Sequence, residues 1–319
     1  MVHLQNIEEN TVRAGIIGHA VGDALGVPVE FTSRSQLARR PIRDMEGFGT
    51  YNMPAGTWSD DTSMEIALLQ SLIDKGRFDY KDIMDNFCKW RKDGEFTATG
   101  KFFDIGTTSA RALENYLMGM SPSECGVKDK YGNGNGSLMR ILPVAYVCHN
   151  NVIVGNGRYE LVCKVSSLTH AHEICVLGCL IYVNFVCYLL GGDSPAVAYR
   201  KAQQEDYSMF SNSAREAYRR ILADNIASYK EDEISSSGYV LSSLEASLWC
   251  LLNTESYKEA VLKAVNLGDD TDTVGAITGS MAGIYYGYDA IPSEWIEKLQ
   301  RSDYILSLCD QFAVTEVQV

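Results

Sequence analysis

The chain has 319 residues, enough to bury a large core, and its 41 acidic residues against 28 basic ones give a formal net charge of −13. That balance argues against a nucleic-acid partner, because such affinity rests on clustered Lys and Arg, and an anionic ligand must instead be met locally by helix N-termini, backbone amides or bound cations. The nine cysteines are odd in number, form no C-x-x-C pair and lie mostly in apolar segments, so they read as reduced core thiols of a cytoplasmic protein.

In chain order, the opening MVHLQNIEEN has two acids and lacks the basic start and apolar stretch of a secretory signal. Gly18, Gly22 and Gly26 then recur every four residues, a spacing repeated near the other end by Gly275, Gly279, Gly283 and Gly287. Glycine costs about 1 kcal/mol against alanine inside a helix, so each ridge predicts a helix whose backbone is approached closely by another. Trp58-Ser59-Asp60-Asp61-Thr62-Ser63 leads into a helix with Ile66, Ala67, Leu69, Leu72 and Ile73 at three- and four-residue spacing. Turn chemistry gathers around residues 40–60, 92–101 and 128–137. The last of these contains Asn133-Gly134-Asn135-Gly136-Ser137, which reads either as an ordinary turn or as a cradle of amides for phosphate or ribose oxygens.

His170 and His172 are two residues apart, off a common helical face, and read as helix-start or core histidines rather than a zinc pair. Residues 174–190 are nearly all apolar but short for a membrane span and interrupted by Asn184, which predicts a buried core helix. The more polar stretch 191–237 predicts surface helices, and Leu241, Leu244, Leu248 and Leu251 mark another core helix. Strand-like alternation is scarce and no low-complexity linker divides the chain, so the expectation is an all-α fold in which residues 1–319 form a single domain.

The chemistry concentrates at Gly268-Asp269-Asp270-Thr271-Asp272-Thr273, with three carboxylates in four residues at a helix start. Such crowding needs positive charge. A helix N-terminus supplies about half a charge, whereas a divalent cation supplies two, and Mg2+ or Mn2+ favours carboxylate and hydroxyl oxygens like these. The Ser59–Asp60–Asp61–Thr62 segment repeats the pattern some 200 residues earlier. Either segment alone is equally a solvated, capped turn. If their helices are neighbours, five carboxylates share one place and two metals fit better than one. No G-x-S-x-G elbow supports a serine nucleophile.

Several further segments complete an ordered set: Gly22-Asp23-Ala24-Leu25-Gly26 through Glu30-Phe31, Thr99-Gly100 through Phe103-Asp104-Ile105-Gly106, Gly134 through Arg140, Thr169-His170 and Gly238-Tyr239-Val240. With the two acidic segments, this set resembles the ADP-ribosylglycohydrolases, in particular the bacterial branch similar to the dinitrogenase-reductase-activating glycohydrolase. The resemblance implies an orthogonal all-α helical bundle with a binuclear Mg2+ or Mn2+ centre that cleaves the glycosidic bond between ADP-ribose and an acceptor. Arginine on a protein is the leading acceptor, with serine, O-acetyl-ADP-ribose or a nucleic-acid end behind it. The partner is then an ADP-ribosylated protein or small ADP-ribosyl conjugate, with no membrane involved and a monomer favoured.

By position, Ser59, Asp60, Asp61, Asp270, Asp272 and Thr273 match the family's metal ligands. Asp269 stands outside that set, where many relatives have glycine, and Ser59 stands where they often have threonine. Glu30 matches a carboxylate near the metals and Asp104 an acid beside the distal ribose, which makes these two the candidate catalytic acids. Asn135, Gly136 and Ser137 match the loop that meets diphosphate and ribose, while His170 and Tyr239 match residues lining the same cleft. Two rival readings are a two-metal phosphatase or pyrophosphatase, since paired Asp clusters also serve phosphoryl transfer, and a non-catalytic, crystallin-like binder of ADP-ribose.

Overall fold

Twelve helices of nine residues or more carry the computed structural model, which describes residues 7–319. They are α1 (Glu9–Gly26), α2 (Asp60–Lys75), α3 (Tyr80–Asp93), α4 (Thr107–Leu117), α5 (Leu142–Asn150), α6 (Gly155–Ser166), α7 (Glu173–Leu190), α8 (Pro195–Gln203), α9 (Val240–Leu252), α10 (Tyr257–Val265), α11 (Thr271–Tyr286) and α12 (Ser302–Ala313). Shorter helical turns join them, 63% of the described residues are helical, and pairing among them is limited to four isolated β-bridges. Residues 1–6, on which part of the reading against a secretory signal falls, lie outside the described residues.

The two glycine ridges meet. A Cβ added to Gly22 would stand 2.1 Å from the Gly275 carbonyl oxygen, one on Gly279 would stand 2.1 Å from that of Gly18, and one on Gly283 would stand 2.0 Å from that of Ala14. Helices α1 and α11 are therefore in backbone contact, closer than any residue with a side chain allows. Gly287 departs from this pattern. It has φ +90 with nothing near its missing Cβ, so it ends α11 instead of extending the ridge. The last ridge contact matters most for position, because a Cβ on Gly26 would fall 2.3 Å from the backbone nitrogen of Asp272. The C-terminus of α1 is thereby pressed onto the acidic start of α11.

Helix α7 is long and apolar enough to cross a membrane by length and composition, yet most of it is buried inside the protein. Its one polar interruption is satisfied there: Asn184 accepts from the Arg158 guanidinium at 2.8 Å and donates to the Tyr207 hydroxyl at 3.1 Å. His172 caps this helix by accepting from the Ile174 N–H, as a helix-start histidine should. The polar stretch 191–237 forms short helices whose apolar sides, through Tyr199, Phe210, Tyr218 and Ile221, close over the core. One hydrophobic cluster draws on residues from Ile7 to Val317, and all nine cysteines are free.

Candidate active site

The site begins at the start of α2, where an acidic helix opening is stabilised from outside. Asp23, on the buried side of α1, accepts from the Ser59 N–H at 2.9 Å, from the Thr62 N–H at 3.1 Å and from the Thr62 hydroxyl at 2.6 Å. These are the free N–H groups that every helix start must satisfy, and a carboxylate suits the positive end of the helix dipole. Because Asp23 takes that work, Asp60 and Asp61 are left to project into the cleft. Ser59 lies beneath them, buried, with its hydroxyl donating to Asp61 Oδ2 at 3.1 Å.

The start of α11 faces this one. The Thr273 hydroxyl donates to Asp61 Oδ2 at 3.2 Å across 212 residues of sequence, and the Thr271 hydroxyl is held by the Gly26 carbonyl at 2.8 Å. Asn135 donates to Asp270 Oδ2 at 2.6 Å and to the Ser243 hydroxyl at 2.8 Å, so the amide loop fixes one of the acids. A third wall carries Glu30, which follows the turn Val27–Val29 and whose carbonyl accepts from the Thr50 hydroxyl at 2.8 Å. The Tyr51 hydroxyl faces both Glu30 and Asp104 and favours the charged form of each, and its ring packs 5.1 Å from that of Phe103.

Glu30, Asp104 and Asp272 each offer a carboxylate oxygen, and these oxygens all lie within 4.8 Å of one another. Together with Asp60, Asp61, Asp270 and Thr273 they line a cleft of about 360 Å3, which Asn135, Gly136 and His170 close on the other side. Gly136 admits no side chain, since a Cβ there would stand 2.9 Å from both the His170 ring and the Ser109 hydroxyl. His170 is buried, its Nδ1 lies 2.8 Å from the Thr169 hydroxyl, and burial with the nearby Arg140 pushes its pKa down to about 3, so the ring is neutral.

Three expected site residues are placed differently from the rest. The Ser137 hydroxyl is fully buried between Ser166 and Cys179, accepting from Ser166 at 2.9 Å, so its side chain belongs to the core and not to the cleft. Tyr239 stands at the N-cap of α9, beside the lining residue Gly238, and is 39% exposed. Ser59 underlies the acids without lining the cleft. Asp269 lies outside the cluster, exposed, with a left-handed backbone at φ +60, a conformation glycine adopts freely.

The acids repel each other. Burial, then the charge of Asp104, pushes Glu30 up to about 8, and Asp60, Asp61 and Asp272 are raised well above the usual carboxylate range by burial and by their neighbours. Asp23 is raised to about 6 by burial, against its hydrogen bonds. Three buried carboxylate oxygens in this cleft, Glu30 Oε2, Asp61 Oδ1 and Asp272 Oδ2, have no hydrogen-bond partner. Buried anionic oxygens are rarely left so, and an oxygen-only donor set of carboxylates and hydroxyls fits a hard divalent cation.

Two residues that position this site were assigned no role from the sequence. Asp23 stands in the Gly22-Asp23-Ala24-Leu25-Gly26 segment as one carboxylate inside a small, apolar helical ridge, a buried charge that needs a partner. Tyr51 sits in a turn-rich segment with no signal of its own, and only the folded approach of the Gly49–Tyr51 turn to Pro28 brings it to Glu30.

A family model described as ADP-ribosylglycohydrolase matches residues 4–318. The chain belongs to the ADP-ribosylglycohydrolase family. As a member it is a glycosidic-bond hydrolase. This glycohydrolase is 34% identical over 302 residues to the ADP-ribosylarginine hydrolase Tri1 of Serratia proteamaculans, covering 94% of this chain and 78% of that relative. It is 32% identical over 286 residues to the ADP-ribosyl-(dinitrogen reductase) glycohydrolase of Rhodospirillum rubrum, covering 89% of this chain and 88% of that one. A solved structure titled as an ADP-ribosylglycohydrolase-related protein complex superposes with a TM-score of 0.80 at 29% identity, over 98% of this chain and 100% of its own.

Proposed function

We propose that this glycohydrolase releases ADP-ribose from arginine side chains of modified proteins, assisted by two Mg2+ or Mn2+ ions held between the two acidic helix starts. The observation that carries the reading is the junction of those starts through Thr273 and Asp61, with three partnerless carboxylate oxygens turned into one cleft. The arginine acceptor is supported by relatives named for ADP-ribosylarginine and for an ADP-ribosylated protein. A cytoplasmic setting is supported by nine free thiols, and treatment of residues 1–319 as one domain by the hydrophobic cluster that draws on both ends of the chain.

In this reading Asp60 and Asp61 from one helix start, and Asp270, Asp272 and Thr273 from the other, would hold the cations, and Ser59, expected among the ligands, lies beneath Asp61 and steadies its carboxylate. When bound, the cations supply the positive charge that polarises ribose hydroxyls and a water. Asn135 steadies Asp270, and Gly136, which lines the cleft without a side chain, would let the nucleotide approach the backbone there. Asp104, as carboxylate, accepts the proton of the water that attacks the anomeric carbon. Glu30, whose carboxyl lies beside those of Asp104 and Asp272, is placed to deliver a proton to the departing guanidine nitrogen.

The test is product analysis on an ADP-ribosylated arginine substrate with Mg2+ and with Mn2+. Intact ADP-ribose and unmodified arginine are expected. Release of AMP or inorganic phosphate would instead assign the cleft to phosphoryl or pyrophosphate cleavage, and tight ADP-ribose binding without turnover would make the protein a binder.

A further inference from the structure

The residue after Glu30 is a phenylalanine whose placement the fold does not need. Phe31 lines the cleft, yet its side chain is 72% exposed. Its backbone is left-handed, at φ +64, a strained conformation for a bulky residue. Exposure of an aromatic ring and strain of its backbone both oppose folding, and still the conformation is locked. Phe31 N–H donates to the Asp269 carbonyl at 2.7 Å, Asp269 N–H returns to the Thr32 carbonyl at 2.9 Å, and Thr32 N–H donates to the Val29 carbonyl at 2.9 Å. Asp269 is left-handed too, so two strained residues pin each other, one following Glu30 and one preceding Asp270.

The ring is thereby set at the mouth of a cleft whose walls are carboxylates. The other strongly exposed aromatic of this cleft, Tyr131, already has the Lys130 ammonium over its face, 5.0 Å from the ring centre. Among the described residues, no Lys or Arg lies over Phe31. An open aromatic face beside an acidic cluster suits one chemistry above others: a planar, weakly hydrated cation that stacks on rings and is drawn by carboxylates, which describes a guanidinium. An acceptor attached to a protein must also enter from solvent, as an exposed rim residue requires.

We propose that the exposed face of Phe31 seats the guanidinium of the acceptor arginine, making this ring a determinant of acceptor specificity. The proposal deepens the arginine reading and rests on it. Its partner is a cationic, planar leaving group, and an uncharged acceptor gains nothing from the ring.

The full-length protein with Mg2+ tests this through Phe31→Leu, which keeps apolar bulk without a π face, and Phe31→Tyr, which keeps the face. Two rates are compared, release of ADP-ribose from ADP-ribosyl-arginine and from O-acetyl-ADP-ribose, with methylguanidine as a competing cation. In Phe31→Leu the ratio of kcat/KM, arginine over acetyl, falls about tenfold, mainly through KM, and methylguanidine inhibition is lost, whereas Phe31→Tyr keeps both within about twofold. A Leu variant that retains the ratio and the inhibition overturns the proposal. If the wild-type protein cleaves only the acetyl conjugate, the arginine reading fails by itself. Methylguanidine inhibition abolished by Phe31→Leu would still support a guanidinium seat, and its absence would remove the seat as well.

Discussion

Asp104 and Glu30 were expected to move protons while the helix-start acids hold metal, but in the folded chain both face Asp272 within the span of a single cation. Substitution separates the roles. Asp272→Ala removes an anionic oxygen that has no other partner, so metal affinity and turnover should fall together, and excess Mn2+ should restore part of the rate. Asp104→Asn keeps size and hydrogen bonding but cannot accept a proton, so the rate should fall about 100-fold or more with metal still bound. Calorimetric metal titration beside ADP-ribose release reads both. Near-normal turnover in Asp104→Asn would remove it from proton transfer, and loss of metal would make it a ligand. At this scale the acids were legible because their crowding is local in sequence. Tyr51 and the inward turn of Ser137 were not, because each depends on what the fold brings alongside: Glu30 for the first, Ser166 and Cys179 for the second.

Among the elements, α1 and α11 do the positioning. The glycine spacing announced a close approach, and the register of that approach sets the Gly26–Glu30 turn against the start of α11. Gly22→Ala should therefore cost about 1–3 kcal/mol, because its methyl would meet the Gly275 carbonyl, a backbone atom with no rotamer to escape into. It should also weaken catalysis, since the adjacent Asp23 caps α2. Gly287→Ala is the control: it meets no atom, and its φ +90, ψ 163 backbone, a region essentially reserved for glycine, is strained by roughly 1–3 kcal/mol without moving Asp23. Urea unfolding and turnover of both variants check the claim: both lose stability, and a Gly287→Ala variant that loses as much activity as Gly22→Ala would show that backbone strain rather than interhelical contact explains the effect. The same limit appears in α7. Its composition fits a membrane span or a core helix, and Asn184 tips the balance only once Arg158 and Tyr207 are seen to satisfy it.

For the whole molecule, the site stores repulsion that cations should relieve. Glu30 rises from its ordinary 4.5 to about 8 and Asp23 from 3.8 to about 6, so between those values the folded state holds protons the unfolded state has released. Stability of the metal-free protein should then fall as pH rises from about 4 to 8, the reverse of the usual salt-bridged carboxylate. Mg2+ or Mn2+ should raise the thermal midpoint most at the alkaline end, where the ligands are ionised. Melting curves across this range, with chelator and with metal, provide the check. Greater metal-free stability at pH 8 than at pH 6 would contradict the folded-state proton uptake.

The sequence by itself determined the helical fold class, the two acidic helix starts, the glycine ridges and the reduced cysteines. Each of these is a short-range pattern of period, crowding or composition, and needs no knowledge of distant neighbours. Only the tertiary structure decided that Thr273 reaches Asp61, that Asp23 caps a helix other than its own, and that Phe31 is left bare at the rim. Those facts depend on which helix faces meet and in what register, a choice fixed by packing over the whole core and not written in any one segment.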